Sequence, residues 1–148
     1  MTHWTDVFDR LHANLGGRLF TATVLDRQAG LARRAYSSHP VDYPVSGTKP
    51  MAQGDWTRMV IEEGQTFVAN SVEEFATYFA DHALIESLGC QSALNVPLRG
   101  ADGQVTGTIN ILDVAGYFTR DRVAAIQTRI ATHRPAILAA MAQVDLHD

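Results

Sequence analysis

Between residues 2 and 15 the side chains of Trp4, Val7, Phe8, Leu11 and Leu15 recur at three- and four-residue steps. That spacing gathers them on one stripe and predicts a helix, which Gly16-Gly17 stops. Leu19, Phe20, Val24 and Leu25, interleaved with Thr21 and Thr23, predict a strand over 18–25. Asp26 to Gly30 reads as a turn, and 31–38 as the return strand of a hairpin. Over 39–55 the periodicity disappears. Pro40, Pro44, Pro50, Gly47 and Gly54 disfavour regular structure there, while Tyr43, Val45 and Met51 offer apolar anchors for an ordered loop. A short helix is expected at about 55–63 and a short strand at 66–69. Ser71-Val72-Glu73-Glu74 is a capping box that opens a helix running to about Leu88, with Phe75, Phe79 and Leu84 or Ile85 turned inward. Strands at 90–98 and 105–113 flank a glycine turn, and Thr119 caps a last helix to about 143 that Pro135 interrupts.

The resulting order, α-β-β-loop-α-β-α-β-β-α, predicts an α/β domain of the α+β kind: a central antiparallel sheet of five to six strands flanked by helices. Its last hairpin carries the most informative pattern. Ser92, Leu94, Val96 and Leu98 on one strand, with Val105, Gly107, Ile109 and Ile111 on the other, form one largely apolar face. The opposite face holds Ala93, Asn95 and Pro97 beside Thr106, Thr108 and Asn110. Those polar residues are neutral, whereas strands facing water usually show Lys, Glu or Arg. Amides and hydroxyls suit an enclosed site, where they bond a ligand without the desolvation penalty of a full charge. A solvated face or an internally satisfied network is the competing reading.

Composition narrows the class. A chain of 148 residues, 46% hydrophobic and 19% charged, is expected to form one domain over 1–148. A formal net charge of -4 with scattered arginines supplies no basic face for nucleic acid. No apolar run is long enough for a membrane span, and Met1 to Asp6 lacks the features of a secretory signal. A lone cysteine, Cys90, fits a reducing compartment, so a cytoplasmic location is expected. There is no CxxC, HExxH or Walker-type loop, so no metal site is read, and the spacings identify no cofactor.

At this level three segments resemble the GAF domain family. "LGCQSALNVPLRGADGQVTGTINILD" is similar to its core hairpin, "IEEGQTFVANSVEEF" to its middle, and "GYFTRDRVAAIQTRIATHRPAIL" to its capped last helix. The resemblance covers about residues 5–143 and implies a GAF-like, PAS-like sheet whose floor, long loop and middle helices enclose a ligand cavity. By that analogy the cavity lies among Tyr36–Lys49, Trp56, the helix around His82, and Cys90–Asn110. It also implies a homodimer through terminal helices, for which Ala124, Ala125, Ile130, Ile137, Leu138 and Met141 offer apolar and small surface. The chain departs from specialised members. It lacks the Asn-Lys…Asp-Glu signature of cyclic-nucleotide phosphodiesterases, Cys90 is followed by Gln91 where bilin-binding members carry His, and one cysteine is too few for the mechanism of free methionine-(R)-sulfoxide reductases.

The candidate ligand-binding residues are Tyr36, Ser38, His39, Tyr43, Lys49, Trp56, His82, Cys90, Asn95, Thr108 and Asn110. The loop Tyr36–Pro50 concentrates hydroxyls, an imidazole, a carboxylate and two phenols, with Lys49 or Arg34 as counter-charge for an anion. Lys49 is the only lysine; it reads either as a base of lowered pKa or as an exposed surface residue. Cys90 reads as a nucleophile if His82 approaches it, or as a small buried hydrophobe. Trp56 reads as core or as a ligand-stacking ring. His3, His12, His133 and His147 read as solvated. Two functions follow. The first is a free-standing sensor that binds a small polar or anionic metabolite and signals through a separate partner. The alternative is a small enzyme acting on a carbonyl, amide or oxidised-sulfur compound, for which no catalytic set is recognised.

Overall fold

The computed structural model describes residues 3–45, 49–51 and 54–144, with Lys49 described by its backbone alone. Its helices are α1 (Trp4–Leu15), α2 (Val72–Ala76), α3 (His82–Ser87), α4 (Arg120–Thr132) and α5 (Arg134–Met141), and a π-helix spans Thr57–Glu62. The strands are β1 (Leu19–Asp26), β2 (Leu31–Ser37), β3 (Lys49–Pro50), β4 (Phe67–Ala69), β5 (Ser92–Arg99) and β6 (Val105–Asp113). They form one sheet in the order β3-β2-β1-β6-β5-β4, antiparallel at every pairing. The two hairpins therefore join through β1 and β6, the central pair.

Period-two alternation divides the core into two layers. Phe20, Ala22 and Val24 of β1, Leu94, Val96 and Leu98 of β5, and Ile109 and Ile111 of β6 share one face. Phe8 and Leu11 of α1, Ile126 and Ile130 of α4, and Ile137 and Met141 of α5 cover them. Close approach of α5 is possible because β6 carries Gly107. A Cβ there would stand 2.3 Å from the Thr23 carbonyl oxygen and 2.9 Å from Met141 Sδ. On the other face Val60 and Ile61 of the π-helix, Phe75 of α2 and Ile85 of α3 pack with Tyr43, Phe67, Cys90, Ala93 and Leu112.

Five expectations need correction. Residues 71–88 do not form one helix but α2 and α3, separated by Thr77–Asp81. Thr77, Tyr78 and Phe79 favour helix weakly, and two tertiary interactions win over it. Phe79 is held among Phe75, Phe67 and Trp56, with ring centroids 5.4, 5.9 and 6.4 Å away, and the Asp81 carboxylate is drawn to Tyr43 and Arg34. The cap at Ser71 also differs. Its hydroxyl accepts the Glu74 N–H (3.3 Å), but Glu74 reaches one residue further back, to the Asn70 N–H (2.9 Å). Val105 belongs to the π-helix layer rather than to the face of Ile109, because the β5–β6 register shifts between Leu98 and Arg99. His12 is not solvated: it is half-buried, stacks on Phe20 and bonds the Gly17 carbonyl through Nε2 (2.7 Å). His3 and His133 are exposed, and His147 lies outside the described residues. Finally, Ile130, Ile137 and Met141 are core residues of the chain itself, and only Ala124 and Ala125 of the apolar and small set assigned to dimerisation are exposed.

Candidate functional site

Asn110 is the centre of a buried polar floor. Antiparallel register sets it beside Thr21 of β1 on one side and Asn95 of β5 on the other, and pairs Thr23 with Thr108. All five side chains project away from the α1-α4-α5 layer, because they alternate with the apolar residues that pack there. Asn95 Nδ2 donates to Asn110 Oδ1 (2.8 Å), and Asn110 Nδ2 donates to the hydroxyls of Thr21 (3.1 Å) and Thr23 (3.2 Å). Trp56 Nε1 donates to Asn95 Oδ1 (3.0 Å). Thr21, Asn95, Thr108 and Asn110 are all buried. Four buried polar residues placed together on one sheet face would be unfavourable unless hydrogen-bonded.

Above this floor lies a cleft of about 340 Å³, open to solvent on one side. One wall is aromatic and apolar: Trp56, Tyr78, Phe79 and Ile85. Trp56 immediately precedes the π-helix, a rare geometry that occurs mostly as single turns and is frequent at functional sites. The other wall is Arg34, Tyr43 and Asp81. The Arg34 guanidinium lies 3.7 Å from the centroid of the Tyr43 ring and donates to the Pro44 carbonyl (2.9 Å) and to Asp81 (3.5 Å). Tyr43 donates its hydroxyl to the same Asp81 oxygen (2.5 Å). Burial, reinforced by that carboxylate, holds the Tyr43 phenol protonated well above its usual range, while Arg34 pulls the other way. The Arg34–Asp81 pair is partly solvated and contributes at most about 1 kcal/mol of stability. What the arrangement does is tie β2, the proline-rich loop and the segment before α3 into one wall, with one cation and one carboxylate beside a neutral floor.

The structure brings together five of the candidate residues: Tyr43, Trp56, Asn95, Thr108 and Asn110. Tyr36, Ser38, His39, His82 and Cys90 do not line the cleft. Tyr36 points to the opposite face, packs against Phe8 and Phe20, and donates its hydroxyl to Asp9 of α1. Ser38 accepts the Phe20 N–H (2.9 Å) and lies 2.8 Å from His39 Nδ1, so this pair fastens the end of β2 to β1. His82 opens α3 half-buried. Cys90 is fully buried in the apolar layer. Its thiol is pushed up to about 11, chiefly by burial and then by Asp113, with Arg18 opposing. The Lys49 side chain, like Ser46–Thr48, lies outside the described residues. Thr21, Thr23, Tyr78, Phe79 and Asp81 also line the cleft although none is among the sequence candidates, and Arg34, a counter-charge candidate, lines it as well. The threonines were visible as alternate positions of one strand. Their partnership with Asn110 required the β1–β6 pairing, which spans almost ninety residues.

A second groove of about 260 Å³ runs between α1 and α5, lined by Val7, Arg10, Leu11, Asn14, His133, Ala136 and Ile137. It lacks a buried hydrogen-bonding floor and an aromatic wall, the two features that give a small-molecule site orientation and contact area. Among the described residues no group of three or more His, Cys, Asp or Glu is placed to hold a metal ion, and no helix is long and apolar enough to cross a membrane.

Comparison with known proteins agrees with this architecture. The sequence profile of the GAF domain matches residues 5–133. No curated protein matches the sequence. Among solved structures, the GAF domain of a two-component sensor histidine kinase from Bacillus halodurans superposes with a TM-score of 0.70 at 15% identity, covering 91% of this chain and 93% of that one. A GAF domain/HD domain protein from Geobacter sulfurreducens gives 0.71 at 14% identity, covering 93% of each chain. The type II free methionine-R-sulfoxide reductase from Thermoplasma acidophilum gives 0.62 at 13% identity, covering 94% of this chain and 96% of that one. At these identities the likeness concerns the fold.

Proposed function

We propose that this chain, which belongs to the GAF domain family, binds a small polar metabolite in the cleft between the amide–hydroxyl floor and Trp56. GAF domains commonly serve as small-molecule sensing modules, and this cleft has the composition such a role needs. The observation that carries the reading is the convergence of Thr21, Thr23, Asn95, Thr108 and Asn110 beneath an aromatic wall. Apolar residues would have packed this floor at no polar desolvation cost, so the retention of five polar ones favours a ligand. Arg34 supplies positive charge, yet Asp81 offsets it, which favours a neutral or singly anionic ligand over a polyanion.

The enzyme reading draws no support from Cys90, whose thiol is buried away from the cleft and held protonated. We assign the chain a binding role. Two-fold association through the terminal helices would have to use exposed small residues such as Ala124 and Ala125, and light scattering of the purified chain reads it. The binding role is tested by thermal-shift screening of small carboxylates, amides and heterocycles against wild type and Asn110→Leu. A compound that raises Tm of wild type but not of the variant is expected, since a ligand stabilises in proportion to its occupancy of the folded state. Equal shifts in both proteins, or none in either, would overturn the assignment.

A further inference from the structure

The direction of every hydrogen bond in the floor follows from one indole. Trp56 Nε1–H can only donate, so the Asn95 atom facing it (3.0 Å) is the carbonyl oxygen. Asn95 therefore turns its NH2 toward Asn110, and the Asn110 atom that receives it (2.8 Å) is again the carbonyl oxygen. The Asn110 NH2 is left to donate to Thr21 and Thr23, whose oxygens accept at 3.1 and 3.2 Å. Each of those hydroxyls must still place its own proton, and no hydrogen bond among the described residues receives either one. Asn95 keeps a second N–H, and Thr108, 1% exposed and lining the cleft, makes no hydrogen bond among the described residues. The chain of polarity runs outward from Trp56 and ends in protons that only a ligand or water can accept.

We propose that Trp56 is the specificity-determining residue of the cleft: by fixing the orientation of Asn95 and Asn110 it makes the floor an array of donors. The ligand is then one that presents an acceptor to the floor, a carbonyl or carboxylate oxygen, and an ammonium is rejected there. The inference rests on the binding role proposed above and narrows its ligand class. An ammonium seated on a floor hydroxyl leaves that hydroxyl's own proton without an acceptor among the described residues, and a stranded donor is what makes hydrogen-bonding sites discriminate. Among the described residues Asp81 is the one anion lining the cleft, and it stands on the wall, engaged by Tyr43 and Arg34, rather than on the floor.

The test uses isotope-labelled full-length chain and three probes: N,N-dimethylacetamide (acceptor only), acetate, and methylammonium (donor only). Each is titrated while the side-chain NH2 signals of Asn95 and Asn110 and the indole N–H of Trp56 are followed by NMR. In wild type, dimethylacetamide or acetate should move the asparagine signals with an affinity at least about tenfold tighter than methylammonium, the discrimination a single stranded donor provides. Trp56→Phe removes the indole N–H and lets Asn95 turn over, so the preference should fall by about threefold or more. Asn95→Asp is the second variant. It keeps an acceptor for Trp56 but presents only oxygen to Asn110, which must then turn its own amide and reverse the floor. Backbone signal dispersion reports which variants are folded, and either suffices. Methylammonium binding within about threefold of dimethylacetamide in wild type, or an unchanged preference in the folded variants, would overturn the inference while leaving the cleft a binding site. Floor signals that respond to none of the three probes would remove the binding role and the inference together.

Discussion

Phe20 and Thr21 are neighbours on β1, and both are buried, yet they belong to different chemistries. Phe20 is sealed under α1 and α5 with Ile109, Ile111 and Ile137, while Thr21 faces a cleft through Asn110. The same division runs along β5, between Leu94 and Asn95, and along β6, between Ile109 and Thr108. One sheet thus has a face whose job is cohesion and a face that holds hydrogen-bonding groups for use. If this division is right, substitutions on the two faces must fail in different ways. Apolar-face changes should reduce stability heavily, and cleft-face changes should remove binding with a smaller structural effect.

The largest effect should come from Phe20→Ala, which deletes a fully buried ring and should lower the free energy of unfolding by about 3–5 kcal/mol, read by urea denaturation. Gly107→Ala attacks the same face by overfilling it. The new Cβ meets backbone, the Thr23 carbonyl oxygen, as well as Met141, so a loss of about 1–3 kcal/mol is expected with α5 displaced. On the cleft face, Asn110→Leu strands Asn95 Nδ2 and should destabilise by about 1–3 kcal/mol. The double replacement Asn95→Leu with Asn110→Leu removes both partners and should recover part of that loss while leaving no ligand-induced stabilisation. If the double variant is as unstable as the sum of the single ones, the amides are needed for cohesion and the contrast between faces fails.

The smallest effect is one of pH. The Cys90 thiol keeps its proton in the folded chain up to about 11, against an ordinary value of about 9. Between those values the unfolded chain has lost a proton that the folded chain retains, so rising pH favours unfolding. The stabilisation is complete below pH 9 and is lost as pH climbs through 11, with Tyr36 and Tyr43 acting in the same direction from about pH 10 upward. Cys90→Ala should flatten the fall in urea midpoint between pH 8 and pH 10.5, and an unchanged fall would mean that the thiol is not the group responsible.

Five of the six strands, the final hairpin's two faces apart from Val105, and the interruption at Pro135 were legible in the sequence, because alternation and proline geometry are local properties, whereas β3 falls in the stretch read as loop. Asn95, Thr108 and Asn110 were legible as a neutral polar face for the same reason. What escaped was set by contacts distant in sequence. The break between α2 and α3 depends on Arg34 and Tyr43 capturing Asp81, and the contribution of Thr21 and Thr23 depends on which strand lies beside β6. Tyr36, Ser38 and His39 look like ligand contacts as a string of polar side chains, but β2 sends Tyr36 to the helical face and holds the other two at its end. A polar residue in a loop announces its chemistry and not its direction.

The most direct measurement is a crystal structure of the chain grown with a compound selected by thermal shift. The account predicts density in the cleft bounded by Trp56, Asn95 and Asn110, with an acceptor atom within hydrogen-bond distance of Thr21, Thr23, Thr108 or Asn95. Density confined to the groove between α1 and α5, with the cleft closed by side chains, would contradict it.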